Sequence, residues 1–540
     1  MRSKRDQVQA HTFMMGRLTS GMLLADPDAP ESPLGRTTRG ALIGIIVGIL
    51  IAAGAFVYGL LRPGGNDSWR GGDSLIVNKD TGARYLYSDG RLRPVRNYAS
   101  ALLIGGAGLK TTTVGTNSLK GTPVGAPVGI AGAPDGVPDP GDLERSAWEV
   151  CSTGGGEETT LVPGAPVENL PIGAGSALVV QGPDNRTYLM WQGSRLELDE
   201  KSGAAESLGY GAVAPRPVSA AFLDTLVSGP KLATPKVTGR GAKGPVLAGR
   251  KTRVGQVVRV TAGSGSQDYV VQKDGLHAVT ATQSALLLGD PDTRRKAYAD
   301  ASPAAVAIGV SDLRAHQAPG TAGSDPSVTG LPDSPPSALR LPTGQAACTR
   351  IDPDGGAVRV TSVRIAETVL SPYAAADSTA LIPACVTVDH VVTRPGRGTL
   401  VRVLGAAGAT VGNTTFLVGD DGVKYRVADA EALAALGYSD GDAVKVPSTL
   451  LSLLPTGPDL NTKAAARSAS DTGAGKAASP ATQCAATGAE GGGARATSRS
   501  AGSAVAGVTT ASGAGSGVRA GASSTGEPDS GAFASHRPAG

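Results

Sequence analysis

Aromatic residues are scarce in this chain. Phe, Trp and Tyr make up 4% of the 540 residues, and Trp occurs three times, at Trp69, Trp148 and Trp191. Surfaces that grip sugars or unstacked bases rely on such rings, so glycan and nucleic-acid binding both start at a disadvantage. The net charge of +4 is too small to argue for nucleic acid, Lys and Arg are scattered, and no basic helix is interleaved with stacking aromatics. Five histidines are present, His11, His277, His316, His390 and His536, and none has a partner at metal-ligand spacing. Asp389 and His390 are adjacent along a candidate strand, which sends their side chains to opposite faces. The four cysteines, Cys151, Cys348, Cys385 and Cys484, include no CxxC pair, so a zinc or redox motif is unsupported. Disulfides fit if the domains lie outside the cytoplasm. From the residues alone, neither a metal nor a cofactor is expected.

Gly and Pro, by contrast, are plentiful, at 77 and 37, and apolar residues reach 40%. The length exceeds one domain at roughly 150 residues each, and the composition suggests modest cores joined by long linkers. One run stands apart. "ALIGIIVGILIAAGAFVYGLL", Ala41 to Leu61, is 21 residues without a charge. At about 1.5 Å per residue it crosses a hydrocarbon core of roughly 30 Å. Arg2, Lys4, Arg5, Arg17, Arg36 and Arg39 precede it. The positive-inside rule then keeps residues 1–40 in the cytoplasm and puts the bulk of the chain outside. Ala53-Gly54-Ala55 resembles a signal-peptidase site, but the leader is long and the apolar run continues through Phe56, Val57, Leu60 and Leu61, which fits a retained anchor. The leader reads as a helix with Val8, Met15, Leu18 and Met22 on one face, broken by Pro27, Pro30 and Pro33. Its three methionines suit an adaptable docking surface for a cytoplasmic partner; the plainer reading is a helix lying on the inner leaflet.

Beyond the anchor one pattern recurs four times: "DSLIVNKDTGARYLYSDGRLRPVRNYASALLIGG" at 73–106, "SALVVQGPDNRTYLMWQGSRLELDEKSGAAESLGYG" at 176–211, "SQDYVVQKDGLHAVTATQSALLLGD" at 266–290 and "TTFLVGDDGVKYRVADAEALAALGY" at 414–438. Each has an apolar strand, a turn rich in Asp, Asn and Gly, an alternating strand and an Ala/Leu run ending at Gly. Tyr85, Tyr188 and Tyr425 take equivalent places, with His277 near there in the third copy. The Gly/Asp turn supplies the backbone a hairpin needs, and the Ala/Leu helix covers its apolar face. An isolated hairpin is marginal, so each β–β–α module needs neighbours. "PVSAAFLDTLVSGPKL" and "VPSTLLSLLPTGPDL" follow copies two and four and echo each other, which suggests two similar halves. "GAVRVTSVRI", "CVTVDHVVT" and "GTLVRVLG" read as strands of a central sheet, joined by "AWEVC".

Two motifs imitate active sites. "GYSDG", Gly437 to Gly441, matches G-x-S-x-G but follows a helix and precedes an extended stretch, the reverse of a nucleophile elbow. "GPVLAGRKT", Gly244 to Thr252, approaches a phosphate-binding loop, but Arg250 displaces Lys251 and Thr252 from register, and strand-like residues follow.

"SKRDQVQAHTF", "LLADPDAPESPLGR", the apolar span, "VYGLLRPGG", "KDTGARYLYSDGRLRPVRNYASALL" and "LLPTGPDL", in this order, resemble the EccB family, a membrane-anchored core component of the type VII (ESX) secretion system. The resemblance runs from Arg2 to about Leu460. It implies one membrane helix and an extracytoplasmic α+β region, with four repeat domains around a central β-rich domain in pseudo-two-fold arrangement. The expected order is a cytoplasmic segment with an amphipathic helix (1–40), the span (41–61), repeat 1 (62–121), a linker with the first part of the central domain (122–164), repeat 2 (165–239), repeat 3 (240–339), the second part of the central domain (340–412), repeat 4 (413–460) and a disordered tail rich in Gly, Ala, Ser and Thr (461–540). The resemblance also implies assembly with EccC, EccD and EccE near a mycosin protease, and a disulfide between Cys151 and Cys348. Cys385 and Cys484 depart from it; Cys385 is expected to be a small buried residue, and Cys484 a free thiol or an intermolecular bridge. ATPase activity is ascribed to the family, so ATP enters only through the resemblance, without an intact motif. The expected function is a structural subunit of the secretion complex, with an export-coupled ATPase and a cell-wall-binding protein as rivals.

Overall fold

The computed structural model describes residues 4–24, 33–61, 67–263, 265–321, 326–354, 357–370, 382–404 and 410–467. Two helices come first, α1 (Lys4–Leu24) and α2 (Pro33–Leu61). Pro33 opens α2 rather than interrupting it, since the first helical turn has no use for the amide that proline lacks. Pro27 and Pro30 lie outside the described residues. Within α2, Thr37–Tyr58 is long and apolar enough to cross a membrane. Its large side chains are exposed from Leu42 to Tyr58, a surface that water does not favour.

Four small units follow, interleaved with a fifth sheet. In repeat 1, β1 (Ser74–Asn78), β2 (Arg84–Ser88) and β3 (Arg91–Pro94) form a meander. Helix α3 (Tyr98–Gly105) then carries the chain over, β4 (Lys110–Val114) pairs parallel with β1, and α4 (Thr116–Leu119) follows. Next come β5 (Trp148–Thr153), β6 (Glu158–Val162) and β7 (Leu170–Pro171) of the fifth sheet. Repeat 2 holds β8 (Ser176–Gln181), β9 (Thr187–Trp191), β10 (Ser194–Glu197), α5 (Ala204–Ser207), β11 (Arg216–Pro217), α6 (Ala220–Thr225) and β12 (Val227–Ser228). A separate ribbon, β13 (Lys243–Leu247) with β14 (Arg250–Arg253), leads to repeat 3: β15 (Val257–Ala262), β16 (Gly265–Val271), β17 (Leu276–Val279), α7 (Ala281–Gly289), α8 (Pro291–Ala297), β18 (Val306–Ile308) and α9 (Val310–His316). Strand β19 (Ser337–Ala338) returns to β8, and β20 (Gln345–Asp354), β21 (Ala357–Ala366) and β22 (His390–Val391) rejoin the fifth sheet. Repeat 4 closes the chain with β23 (Thr399–Leu404), β24 (Thr410–Val418), β25 (Lys424–Val427), α10 (Ala430–Ala435), β26 (Val444–Pro447) and α11 (Ser448–Leu451), then α12 (Thr462–Ala466).

The four units share one topology. The strand–strand–helix core carries a further meander strand. A fourth strand then lies parallel to the first, reached through a helical crossover as parallel pairing requires. A second helix follows, α4, α6, α9 or α11, and the chain runs on beside the third strand through Val124, β12, Gln317 or Thr456. In repeats 1 and 2 the extra meander strand comes from tight turns. Asp89 (φ 54°) and Gly90 (φ 72°) split β2 from β3, and Gln192 (φ 47°) and Gly193 (φ 77°) split β9 from β10. The tyrosines are therefore not equivalent: Tyr188 sits on the second strand of its unit and Tyr425 on the third. What they share is a turn. Tyr188 donates to Asp184 at 3.0 Å, Tyr425 to Asp421 at 2.5 Å, and His277 meets Asp274 at 2.9 Å.

The fifth sheet has the order β22-β6-β5-β20-β21-β7. The "GTLVRVLG" stretch, expected in it, is β23 of repeat 4, paired with β24 and β26. That strand buries residues on both faces, so its pattern cannot say which sheet takes it. One face of the central sheet, with Trp148, Val150, Leu161 and Ile351, shares a core with Phe222 of repeat 2 and Leu450 of repeat 4. Helices pair the repeats: α3 packs on α10 and α12, α5 on α7, and α6 on α11. Repeats 1 and 4 thus form one pair and repeats 2 and 3 another, joined through two corresponding helices. A cation on the third strand caps each of those helices: Arg195 donates to Leu223 O at 2.8 Å, and Lys424 donates to Leu451 O at the end of α11. Helix α12, capped by Asn461 and burying Ala465, shows that residues 461–467 are structured, against the expectation of a tail beginning at 461. Its alanines pack where larger apolar residues were sought. Residues 468–540 of that expected tail lie outside the described residues.

Candidate functional site

The chemistry of the central sheet begins with register. Cys151 on β5 lies directly opposite Cys348 on β20, and the two are joined by a disulfide across a sequence separation of 197. Both are fully buried. Two residues along each strand, and so on the same face, Glu149 meets Arg350 at 2.7 Å. Arg350 also grips Asp352 at 2.9 Å. Burial pushes the Glu149 carboxyl up to about 8, against the pull of the Arg350 guanidinium. Its Oε2 has no hydrogen-bond partner. Cys385 is not the small buried residue expected: it is exposed and disulfide-bonded. A single apolar-looking cysteine carries no periodic signal of exposure, which is why sequence misplaced it. Cys484 lies outside the described residues.

The motifs that imitate active sites resolve into ordinary structure. Residues 244–252 form the ribbon β13–β14, turning at Ala248 (φ 47°) and Gly249 (φ 73°). A phosphate-binding loop needs a helix N-terminus at that point, and here a strand follows. In "GYSDG", Gly437 (φ 88°) ends the turn after α10, and Ser439 is engaged by Asp442, its hydroxyl at 2.7 Å and its amide at 2.8 Å. Asp389 accepts from the Thr159 amide at 2.7 Å while His390 faces Glu158 at 3.3 Å, so the adjacent pair does not act together. Trp69 and Trp148 are fully buried, and Trp191 is partly buried with its indole N–H donating to Ala174 O at 2.8 Å. None of the three offers a free ring for stacking a sugar.

The helix ahead of the span is different. Val8, Met15, Leu18 and Met22 are all exposed on α1. Thr12 and Thr19, on the same side, turn their hydroxyls back onto Val8 O and Met15 O at 2.8 Å each, which leaves their methyls outward. Phe13, Met14 and Leu23 are exposed too, so the apolar surface is broader than four residues. Ala41 and Leu61 both fall within α2.

A helix of membrane-spanning length ahead of paired repeat domains, clamped on a disulfide-tied central sheet, defines a membrane-anchored repeat scaffold. The family model described as "Type VII secretion system ESX-1, transport TM domain B" matches residues 2–474. The chain belongs to this EccB family, and α2 is its single membrane span. It is 31% identical over 495 residues to the "ESX-2 secretion system ATPase EccB2" of Mycobacterium tuberculosis, covering 86% of this chain and 94% of that one. It is 28% identical over 480 residues to the "ESX-3 secretion system ATPase EccB3" of Mycolicibacterium smegmatis, covering 85% and 89%. Among solved structures, an EccB3 dimer from an ESX-3 core complex shares the fold at TM-score 0.57 and 24% identity, covering 73% of this chain and 100% of that one. A chain of an intact ESX-5 inner membrane complex does so at TM-score 0.55 and 23% identity, covering 87% and 96%.

Proposed function

We propose that this protein is a structural subunit of the type VII secretion membrane complex, whose scaffold beyond the membrane helps form the export channel. The observation that carries this is the clamped architecture, in which two pairs of repeats meet on a central sheet closed by Cys151–Cys348. Such a body is built to hold neighbours at fixed positions. The six cations ahead of the span support a cytoplasmic N-terminus, with the repeats outside. On this reading the assembly is multimeric, as are the complexes in which its structural neighbours were solved, and it includes EccC, EccD and EccE type components with a mycosin protease alongside. The exposed face of α1, Val8, Met15, Leu18 and Met22, is the docking surface for a cytoplasmic part of that assembly.

The word ATPase belongs to the names of the relatives. In this chain the stretch nearest a phosphate loop is a β-ribbon, so the scaffold reading requires no nucleotide. Purification of the intact membrane complex from the native host tests the reading. The protein should co-purify in fixed ratio with the other membrane components, and the Val8→Ser, Met15→Ser, Leu18→Ser, Met22→Ser variant should stay in the membrane but leave the complex. Full co-purification of that variant would remove α1 from the interface, and absence of the parent protein from the complex would remove the scaffold.

A further inference from the structure

The cations of this chain are not evenly spread once the fold is known. Residues 225–267 contain eight Lys and Arg and no Asp or Glu. From 225 to 300 there are twelve Lys and Arg against five Asp, a net +7, where the whole chain carries only +4. All other residues together are therefore net −3. This segment runs from the end of repeat 2 through the β13–β14 ribbon into repeat 3.

Some of these cations have structural work. Lys231 pairs with Glu197 and Asp199, Arg240 with Asp290, and Arg259 with Asp268. The ribbon is different. Leu247 and Thr252 turn inward and are buried, so alternation sends their neighbours outward. Val246 faces Lys251 across the ribbon, and beyond a bulge Lys243 faces Arg253. Lys243, Lys251 and Arg253 are exposed, as is Arg250 beside the turn, and none of the four makes an ion pair among the described residues. Lys273 extends this surface, since its side chain lies against Gly239 at the approach to the ribbon. Four like charges on one short ribbon repel one another, a cost that folding alone does not explain.

We propose that the outward face of the β13–β14 ribbon is a binding surface for a linear polyanion. Val246 is the one large apolar residue exposed on it, at 55%. A folded acidic protein needs an apolar centre and roughly 1,000 Å² or more of complementary surface, which a ribbon of this size does not present. A linear polymer with repeated anions needs only a row of unpaired cations. Here successive outward residues stand about 6–7 Å apart along a strand and about 5 Å across the pair. Affinity then comes from counterion release and falls steeply with salt. This surface lies apart from α1 and the clasp, so it stands or falls independently of the scaffold reading.

The test is a titration of the purified full-length protein, in non-ionic detergent, with fluorescently labelled long-chain inorganic polyphosphate. Log affinity should fall with log salt at a slope of about −3 for four contacts, by Lys243, Lys251, Arg253 and Lys273. The Lys243→Gln, Lys251→Gln, Arg253→Gln variant should bind roughly tenfold or more weakly at about 0.1 M salt, with a slope shallower by about 2. Arg91→Gln, which removes an exposed cation in repeat 1, should change neither quantity. Thermal unfolding matched to the parent would show that the triple variant is folded. Parental affinity in the triple variant, an equal loss in Arg91→Gln, or no binding by the parent would each overturn the proposal. So would tripolyphosphate competing as well per phosphate as the polymer, because the surface would then read single anions.

Discussion

Glu149 carries a buried cost. Its carboxyl is 1% exposed, one oxygen is unpartnered, and burial outweighs Arg350 in setting its acidity. A carboxyl whose folded value is raised to about 8 from 4.5 favours folding when protonated. That contribution is present in full below the unfolded value and is lost as pH rises through the folded one. Relative to Glu149→Gln, the parent should therefore lose unfolding free energy between pH 5 and pH 9, by an amount on the order of a few kcal/mol, read from chemical denaturation. A constant gap across that range would show that the Arg350 pair keeps Glu149 ionised throughout. The neighbouring disulfide acts differently, by restricting the unfolded chain. Closing a loop of this length contributes about 5 kcal/mol in chain-entropy terms. Cys151→Ser or Cys348→Ser should lower thermal stability sharply, and mapping without reductant should recover a peptide joining 151 to 348. Recovery of both thiols alkylated, in protein from the native host, would refute the clasp.

At the level of elements, what could be read in advance depended on how local its cause was. The span, the Ala/Leu helices and their Gly/Asp turns were legible because each follows from neighbouring residues. The split of β2 from β3 was legible in principle, since Asp89-Gly90 is a strong hairpin signal, but the pair was absorbed into one longer strand. The parallel fourth strand was not legible. Val306–Ile308 is three residues long, and only the crossover through α7 and α8 makes it a strand. The assignment of β23 to repeat 4 failed for the same reason. The basic ribbon was missed because a charge count over the whole chain averages +7 in one segment against −3 elsewhere. Helix pairing was also hidden, and between α5 and α7 it includes a close approach at one small residue. A Cβ on Gly289 of α7 would stand 2.0 Å from Ser207 Oγ and 2.8 Å from its Cα on α5. Gly289→Ala should thus cost about 1–3 kcal/mol in chemical denaturation. Ser207→Gly should recover part of that loss, as expected of residues in contact. Additive losses in the double variant would mean that the two helices do not depend on this contact.

For the whole molecule, the first expectation concerns sidedness. A cysteine at Gln9, exposed on α1, should resist an impermeant thiol reagent in intact cells, and one at Thr81, exposed in the β1–β2 turn, should react. Equal labelling would contradict a single span with its N-terminus inside. The second expectation comes from the way the central sheet is split between distant stretches of chain. Strands β5 and β6 emerge early, but β20 and β21, which complete their hydrogen bonding, follow only after repeats 2 and 3 have been made. During that interval the middle of the protein is an unpaired edge bearing a thiol, and edges of that kind pair promiscuously. Biogenesis therefore has a fixed tempo. Repeats 2 and 3 can pair as they appear, while repeat 1 awaits repeat 4 and the sheet between the pairs waits for nearly 200 residues and then oxidises. A chain interrupted before Cys348 would be left as repeat 1 and the repeat 2–3 pair strung on one membrane tether, without the sheet that joins them.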